Sequence, residues 1–201
     1  MGWLWETEVE TNDTNGSIKE IKHKVLKFSE LWSNYPSSDI KHSGNFGKGN
    51  VTDGYSDHCA IHVSEALLVS KIQIKSVPRK HKCYGHCSRE NSHIVGAQNL
   101  ANWLKKIPFA GCPKPKKLTG LTFESYVSGK TGIIFFQDYW QRTSEKGTER
   151  RSGDHIDLWN KNKLASIGRV RTFARLGLGI SIDGLWSDFT KSKEVLFWEI
   201  K

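Results

Sequence analysis

From Ile18 to Trp32, apolar residues recur at Ile18, Ile21, Val25, Phe28 and Leu31, at spacings of three and four. This predicts one amphipathic helix, ended by Tyr35-Pro36. A polar loop with glycines at 44, 47, 49 and 54 follows, and then Ile61, Val63, Ala66, Leu67 and Leu68 predict a second helix, with Ser56 and Asp57 as candidate N-caps. Ser92 is placed to cap a third helix through Ala97, Leu100, Ala101 and Leu104 to Lys106, and Pro108 to Pro115 breaks it. The period then changes. Gly132 to Tyr139, His155 to Asn160 and Glu194 to Ile200 are rich in bulky and β-branched residues and predict strands. Arg169 to Gly179 suits a short helix or an irregular crossover. Residues 1–17 are polar and turn-rich apart from Trp3-Leu4-Trp5, and are expected to be an appendage to one domain over 18–201. Helices first and an antiparallel sheet after is an α+β layout.

This pattern puts Cys59 in the first turn of the second helix, behind a glycine-rich loop. Unpaired N–H groups and the positive end of the helix dipole favour an anion there, so the thiolate is stabilised. The bland reading is a small buried hydrophobe on the inner face of the helix. A nucleophile needs a base, and the best placed is His155 in Gly153-Asp154-His155-Ile156-Asp157-Leu158-Trp159-Asn160. In a strand, His155, Asp157 and Trp159 face one way, and Ile156 and Leu158 the other. His155 is thus expected on one surface of the sheet, opposite the helix carrying Cys59. A Cys at a helix start and a His on a distant strand form the arrangement of papain-like enzymes, in which the two meet only in space. His58 and His62, beside Cys59 and one turn after it, are rival bases. Asp157, two residues along on the face of His155, is the first choice for the group that orients the imidazole.

Composition narrows the setting. A chain of 201 residues, 37% hydrophobic, with eight Trp and nine Phe, suits one globular domain with an aromatic-rich core. No apolar run reaches the ~20 residues of a membrane span, so membrane insertion is not expected. Met1-Gly-Trp-Leu-Trp-Glu6 lacks the basic start and apolar stretch of a signal peptide. The net charge of +9 and isoelectric point near 9.4 imply attraction to polyanions. Yet the Lys and Arg are dispersed, and no nucleic-acid-binding motif accompanies them, so nucleic acid is not the expected partner. An acidic cell wall or an acidic inhibitor protein would account for the charge as well.

Residues 43–67 and Gly153-Asp-His-Ile-Asp-Leu-Trp-Asn160 resemble the type VI secretion amidase effectors, family four. Phe28-Ser-Glu-Leu-Trp-Ser-Asn-Tyr-Pro36, Leu100-Ala-Asn-Trp-Leu104, Gly129-Lys-Thr-Gly-Ile-Ile-Phe135 and Lys193-Glu-Val-Leu-Phe-Trp198 support the resemblance. It implies an NlpC-like, papain-related fold, with N-terminal helices, the nucleophile at a helix start, packed on an antiparallel sheet. It also implies an antibacterial peptidoglycan amidase without cofactor or metal. Such an enzyme is made in the bacterial cytoplasm, exported by type VI secretion components and active in the target-cell periplasm, where a cognate immunity protein restrains it. The implied bond is the D-glutamyl–meso-diaminopimelate link of stem peptides, the implied nucleophile Cys59 and the implied base His155. The resemblance leads to an Arg three residues after the nucleophile, where His62 stands, and to an Asp eleven residues after the base, where Ser166 stands. The orienting group therefore stays open among Asp157, Ser166, Asn160 and the distant Asp183 or Asp188. Two other functions stay open: a non-enzymatic basic binding module, in which Cys59 and His155 are structural, and a papain-like peptidase or transferase acting on protein.

Three cysteines are left. His81, Cys83, His86 and Cys87, with Cys112 or His93, offer a zinc set of unusual spacing. A disulfide between two of Cys83, Cys87 and Cys112 is preferred, because the periplasm implied by the resemblance is oxidising. Trp32, Trp103, Trp140 and Trp159 are candidate groove residues.

Overall fold

A computed structural model describes residues 4–10, 18–37, 57–78, 83, 92–166 and 189–201, with the backbone alone for 4–10 and 18–24. The glycine-rich loop and Arg169 to Gly179 lie outside the described residues.

The chain opens with an antiparallel hairpin of β1 (Leu4–Glu10) and β2 (Ile18–Lys24), in register Leu4↔Lys24 to Glu10↔Ile18. This corrects the single helix expected over Ile18 to Trp32. Trp5, Thr7 and Val9 alternate in sequence with Glu6, Glu8 and Glu10, and Asn15-Gly16 is a strong hairpin signal. Only the end of the expected helix is helical: α1 (Phe28–Ser33), whose first amide donates to the Lys201 carbonyl at 2.9 Å and ties it to the C-terminus.

Two further helices, α2 (Cys59–Val69) and α3 (Ala97–Leu104), precede the main sheet. Neither has the predicted cap. His58 is the N-cap of α2, and Gly96, at φ +84°, that of α3, with no side-chain cap bond in either case. Ser92 lies upstream, next to Ile94, whose amide donates to Ser64 Oγ of α2 at 3.2 Å.

β3 (Lys116–Leu118), the short α4 (Phe123–Val127), β4 (Thr131–Trp140), β5 (Gly153–Asn160), β6 (Lys163–Leu164) and β7 (Glu194–Glu199) complete the order. The five strands form an antiparallel sheet in the order β3-β7-β4-β5-β6. Each of the three strands expected from the sequence is present to within one or two residues.

The sheet is buried on both faces. Ile133, Phe135, Ile156, Leu158, Leu196 and Trp198 pack under α2 and α3 against Val63, Leu67, Leu100 and Leu104. On the other face Ile134, Phe136, Trp159, Val195 and Phe197 meet Phe123, Val127 and Phe189. Two-sided burial explains the near-continuous apolar runs of β4 and β7. Trp103 and Trp159, expected as possible groove residues, are core: they are 3% and 1% exposed, and their indole N–H groups donate to the carbonyls of Lys75 and Val127.

Candidate active site

α2 begins at Cys59, and its first intrahelical bond runs from the His62 amide to the His58 carbonyl. The amides of Cys59, Ala60 and Ile61 therefore lack a partner within the helix and converge at the end where the half-buried thiol sits. α2 packs on β5, the strand that carries His155.

β5 alternates as the sequence implies. Ile156 and Leu158 belong to the core under the helices, and His155 pairs across the sheet with Phe136 of the opposite face. There the imidazole rests on an aromatic wall, 5.8 Å from the Phe189 ring and 6.4 Å edge-on from that of Tyr139. A β-bulge between Phe136 and Trp140, with Asp138 at φ +51°, lies opposite; the Asp138 amide donates to Asp154 Oδ1 at 2.9 Å. Among the described residues β6 pairs with the Trp159–Asn160 end of β5, downstream of His155, and the imidazole interacts with the Cys59 thiol. This refines the expectation that His155 would stand on the helix-facing surface.

His155 Nε2 lies 3.5 Å from Asp157 Oδ2. Asp157 is fully buried. Its Oδ1 accepts the Leu158 amide at 2.8 Å; its Oδ2 accepts the Ser166 amide at 3.1 Å and the Ser166 hydroxyl at 2.5 Å. Burial alone would push the imidazole pKa down. The Asp157 carboxylate and the Cys59 thiol outweigh it and raise the value from 6.5 to about 9. An imidazolium is thus favoured at neutral pH.

Ser166 meets Asp157 through the β5–β6 hairpin. Its turn is Lys161-Asn162, with Lys161 at φ +62°, and it pairs Asn160 with Lys163 and Trp159 with Leu164; the Ala165 amide continues onto the Leu158 carbonyl at 3.0 Å. One step further, Ser166 falls opposite Asp157. The two leading choices for the orienting group are thus in contact with each other, and it is Asp157 that faces the imidazole.

Sequence reasoning missed Tyr35. Its hydroxyl is buried beside Asp157, Ser166 and Cys59, finds no hydrogen-bond partner of good geometry among the described residues, and its pKa is pushed up by burial and then by Asp157. The ring packs edge-on against His62, 5.7 Å away, and His62 lies 5.9 Å from His58. His62 therefore lies between Tyr35 and His58, and the His155 imidazole interacts with the thiol. Trp32 and Trp140, the other two candidate groove residues, are half-buried.

Cys83 and Cys112 have other surroundings. Cys83 is buried, accepts the His93 amide at 3.1 Å and lies 3.4 Å from His93 Nδ1, while His93 Nε2 lies 2.5 Å from Glu65 Oε2. Burial raises the Cys112 thiol to about 12. Cys83 and Cys112 are not joined to each other, which removes one of the three expected disulfide pairings; Cys87, His81 and His86 lie outside the described residues. Among the described residues no three His, Cys, Asp or Glu side chains converge as a metal site, and no helix is long and apolar enough to cross a membrane.

Solved structures share this fold. The type VI effector Tae4 from Enterobacter cloacae matches at 17% identity and TM-score 0.56, over 89% of this chain and 99% of that one. Tae4 from Salmonella typhimurium, in complex with the immunity protein Tai4 from Enterobacter cloacae, matches at 19% identity and TM-score 0.57, over 87% and 99%. The Salmonella typhimurium Tae4/Tai4 effector–immunity system, as a selenomethionine variant, matches at 21% identity and TM-score 0.54, over 87% and 98%. No curated protein sequence matches the chain. The family model for type VI secretion system amidase effector protein 4, Tae4, matches residues 55–198, a span that takes in Cys59, His155, Asp157 and Ser166, and the chain therefore belongs to the Tae4 family of type VI secretion amidase effectors.

Proposed function

We propose that this amidase effector is a DL-endopeptidase that cuts the D-glutamyl–meso-diaminopimelate bond of peptidoglycan stem peptides, with Cys59 as nucleophile, His155 as acid and base, and Asp157 as the group that anchors the imidazole. One observation carries the reading: in a chain of this family, a thiol at a helix start interacts with an imidazole whose far nitrogen faces a buried carboxylate. The proposal includes a papain-like, NlpC-like arrangement of nucleophile helix and base strand, which the α2–β5 packing supports.

In the proposed reaction the Cys59 thiolate attacks the γ-carbonyl carbon of the D-glutamyl residue. The oxygen, now negative, is stabilised by the amides at the start of α2. The His155 imidazolium gives its proton to the diaminopimelate nitrogen as the C–N bond breaks, leaving a thioester and a free amine. Neutral His155 then takes a proton from water, the hydroxide adds to the thioester, and the thiolate leaves as the carboxylic acid forms. Asp157 faces the ring throughout and orients it.

The cell wall lies in the periplasm of the target cell, and the basic surface suits its free carboxylates. By likeness to the Tae4 structures solved with Tai4, a cognate immunity protein is proposed to cover the Cys59–His155 cleft. The test is digestion of purified sacculi, with Cys59→Ala as control and mass spectrometry of released muropeptides. The reading requires new diaminopimelate amines with the parent protein and none with the variant; intact muropeptides with both would overturn it.

A further inference from the structure

Asp157 Oδ2 is crowded. It accepts the Ser166 amide at 3.1 Å and the Ser166 hydroxyl at 2.5 Å, and it also faces His155 Nε2 at 3.5 Å, while Oδ1 accepts the Leu158 amide at 2.8 Å. A carboxylate oxygen has about two lone-pair directions. With both taken by Ser166, the imidazole is left beyond hydrogen-bond length, and His155 Nε2 is a buried nitrogen with no hydrogen-bond partner of good geometry among the described residues. The long His155–Asp157 contact thus coincides with two Ser166 donors on the same oxygen. Both partners sit on β5 two residues apart, on one face of the strand, and the Tyr35 hydroxyl is buried beside Asp157 and Ser166 as well.

We propose that Ser166 is a positioning residue for the proposed site: its hydroxyl shares Asp157 Oδ2 with His155 and thereby sets how firmly the carboxylate holds the imidazolium. A buried carboxylate satisfied by hydroxyl and amide donors pulls less on the proton of a neighbouring ring than one that lacks them. The base is tuned so that it can both hold a proton beside the thiolate and surrender it to the leaving amine. The hairpin makes this possible, because Ser166 arrives opposite Asp157 by register. Its amide stays in place whatever the side chain, so the hydroxyl can be removed without releasing the carboxylate.

The inference rests on the Cys59–His155 reading, and one measurement separates the two. The parent protein, Ser166→Ala, Ser166→Cys and Ser166→Thr are alkylated with iodoacetamide from pH 5 to 11, and the rate at each cysteine is read by peptide mass spectrometry. In the parent, Cys59 should react at pH 7 and show an upper step where His155 loses its proton. Ser166→Ala should move that step up by about half a pH unit or more, since the freed oxygen turns to the imidazole. Ser166→Cys fills the site with a weaker donor and should move it the same way by less, so a poorly folded Ala variant does not decide the matter. Ser166→Thr keeps the hydroxyl and should overlay the parent. If Cys59 is unreactive at pH 7 in the parent, the Cys–His reading fails. If Cys59 reacts as expected but the Ser166→Ala step stays put or moves down, Ser166 does not share the oxygen and the inference is overturned.

Discussion

His155 and Asp157 face each other on one strand, Nε2 to Oδ2 at 3.5 Å, with the aspartate fully shielded from solvent and the histidine walled by Tyr139 and Phe189. Two residues apart on a pleated strand is the spacing that puts two side chains on one face without any loop to hold them. The cost is burial of a charge. The amides of Leu158 and Ser166 and the Ser166 hydroxyl offset it on the carboxylate, and an imidazolium offsets the remainder.

Stability should depend on pH through this pair. The His155 value is raised from 6.5 to about 9, so the interaction stabilises the fold fully below 6.5 and the stabilisation is lost as pH rises through 9. The melting temperature of the parent should therefore fall between about pH 7 and 10. In His155→Gln that component of the slope should be missing, as measured by thermal unfolding at matched ionic strength. Hydrolysis of sacculi should fall over the same alkaline range, because the leaving amine then lacks its proton donor.

Asp157→Asn should be damaging twice over. It replaces an acceptor that takes two Ser166 donors by an amide, which sets N–H against N–H at a buried position, at a cost of roughly 1–3 kcal/mol in denaturant unfolding. It also removes the charge that favours the imidazolium. Turnover of sacculi should drop by about two to four orders of magnitude with the fold retained by circular dichroism. A variant with parental turnover would remove Asp157 from the site.

The strands of the main sheet were legible because both faces are buried, so Ile133 to Phe136 and Val195 to Trp198 read as apolar runs with no competing helical period. The Cys59 helix was legible for a related reason, the glycine-rich polar loop before an apolar stripe. The hairpin at the start was not. Ile18 and Ile21 belong to β2, while Phe28 and Leu31 belong to α1, and their common spacing of three and four joined two elements into one. At the site, Asp157 followed from alternation alone. The position of Ser166 did not, because it depends on a tight turn at Lys161-Asn162, with a non-glycine residue in the left-handed region, that the sequence only weakly signals. Tyr35 was invisible, since its role comes from the packing of α1 against α2, which brings its hydroxyl beside Asp157.

Tyr35→Phe isolates that packing. The hydroxyl is buried without a partner of good geometry among the described residues, so it brings a desolvation cost that phenylalanine does not. Stability in urea should be unchanged or greater by up to about 1 kcal/mol, in contrast to the usual loss when a buried hydrogen bond is deleted. A loss of more than that would mean that the hydroxyl is firmly bound to Asp157 in solution.

Gly153 enters β5 two residues before the base, and its lack of a side chain makes room for an indole. A Cβ at this position would run into the Trp140 indole nitrogen and the ring atoms beside it, because Trp140 pairs with Gly153 across the bulged end of β4. The indole has little freedom to yield: it is half-buried, and the Arg142 guanidinium covers it at 5.6 Å from the ring centre. Gly153→Ala should therefore cost about 1–3 kcal/mol, the usual range for overpacking, or roughly 2–12 °C in a domain of this size. Gly129→Ala provides the comparison. Gly129 has φ +75°, and a methyl added there would have no other atom within 4 Å, so only backbone strain opposes the change, at about 1 kcal/mol, and no neighbour need move. The two differ most in what happens at the site. A displaced Trp140 shifts the strand end that sets His155, so Gly153→Ala should also slow iodoacetamide labelling of Cys59 at pH 7, whereas Gly129→Ala should leave it unchanged. Equal labelling in both would show that the aromatic wall, and not the bulged strand end, fixes the imidazole.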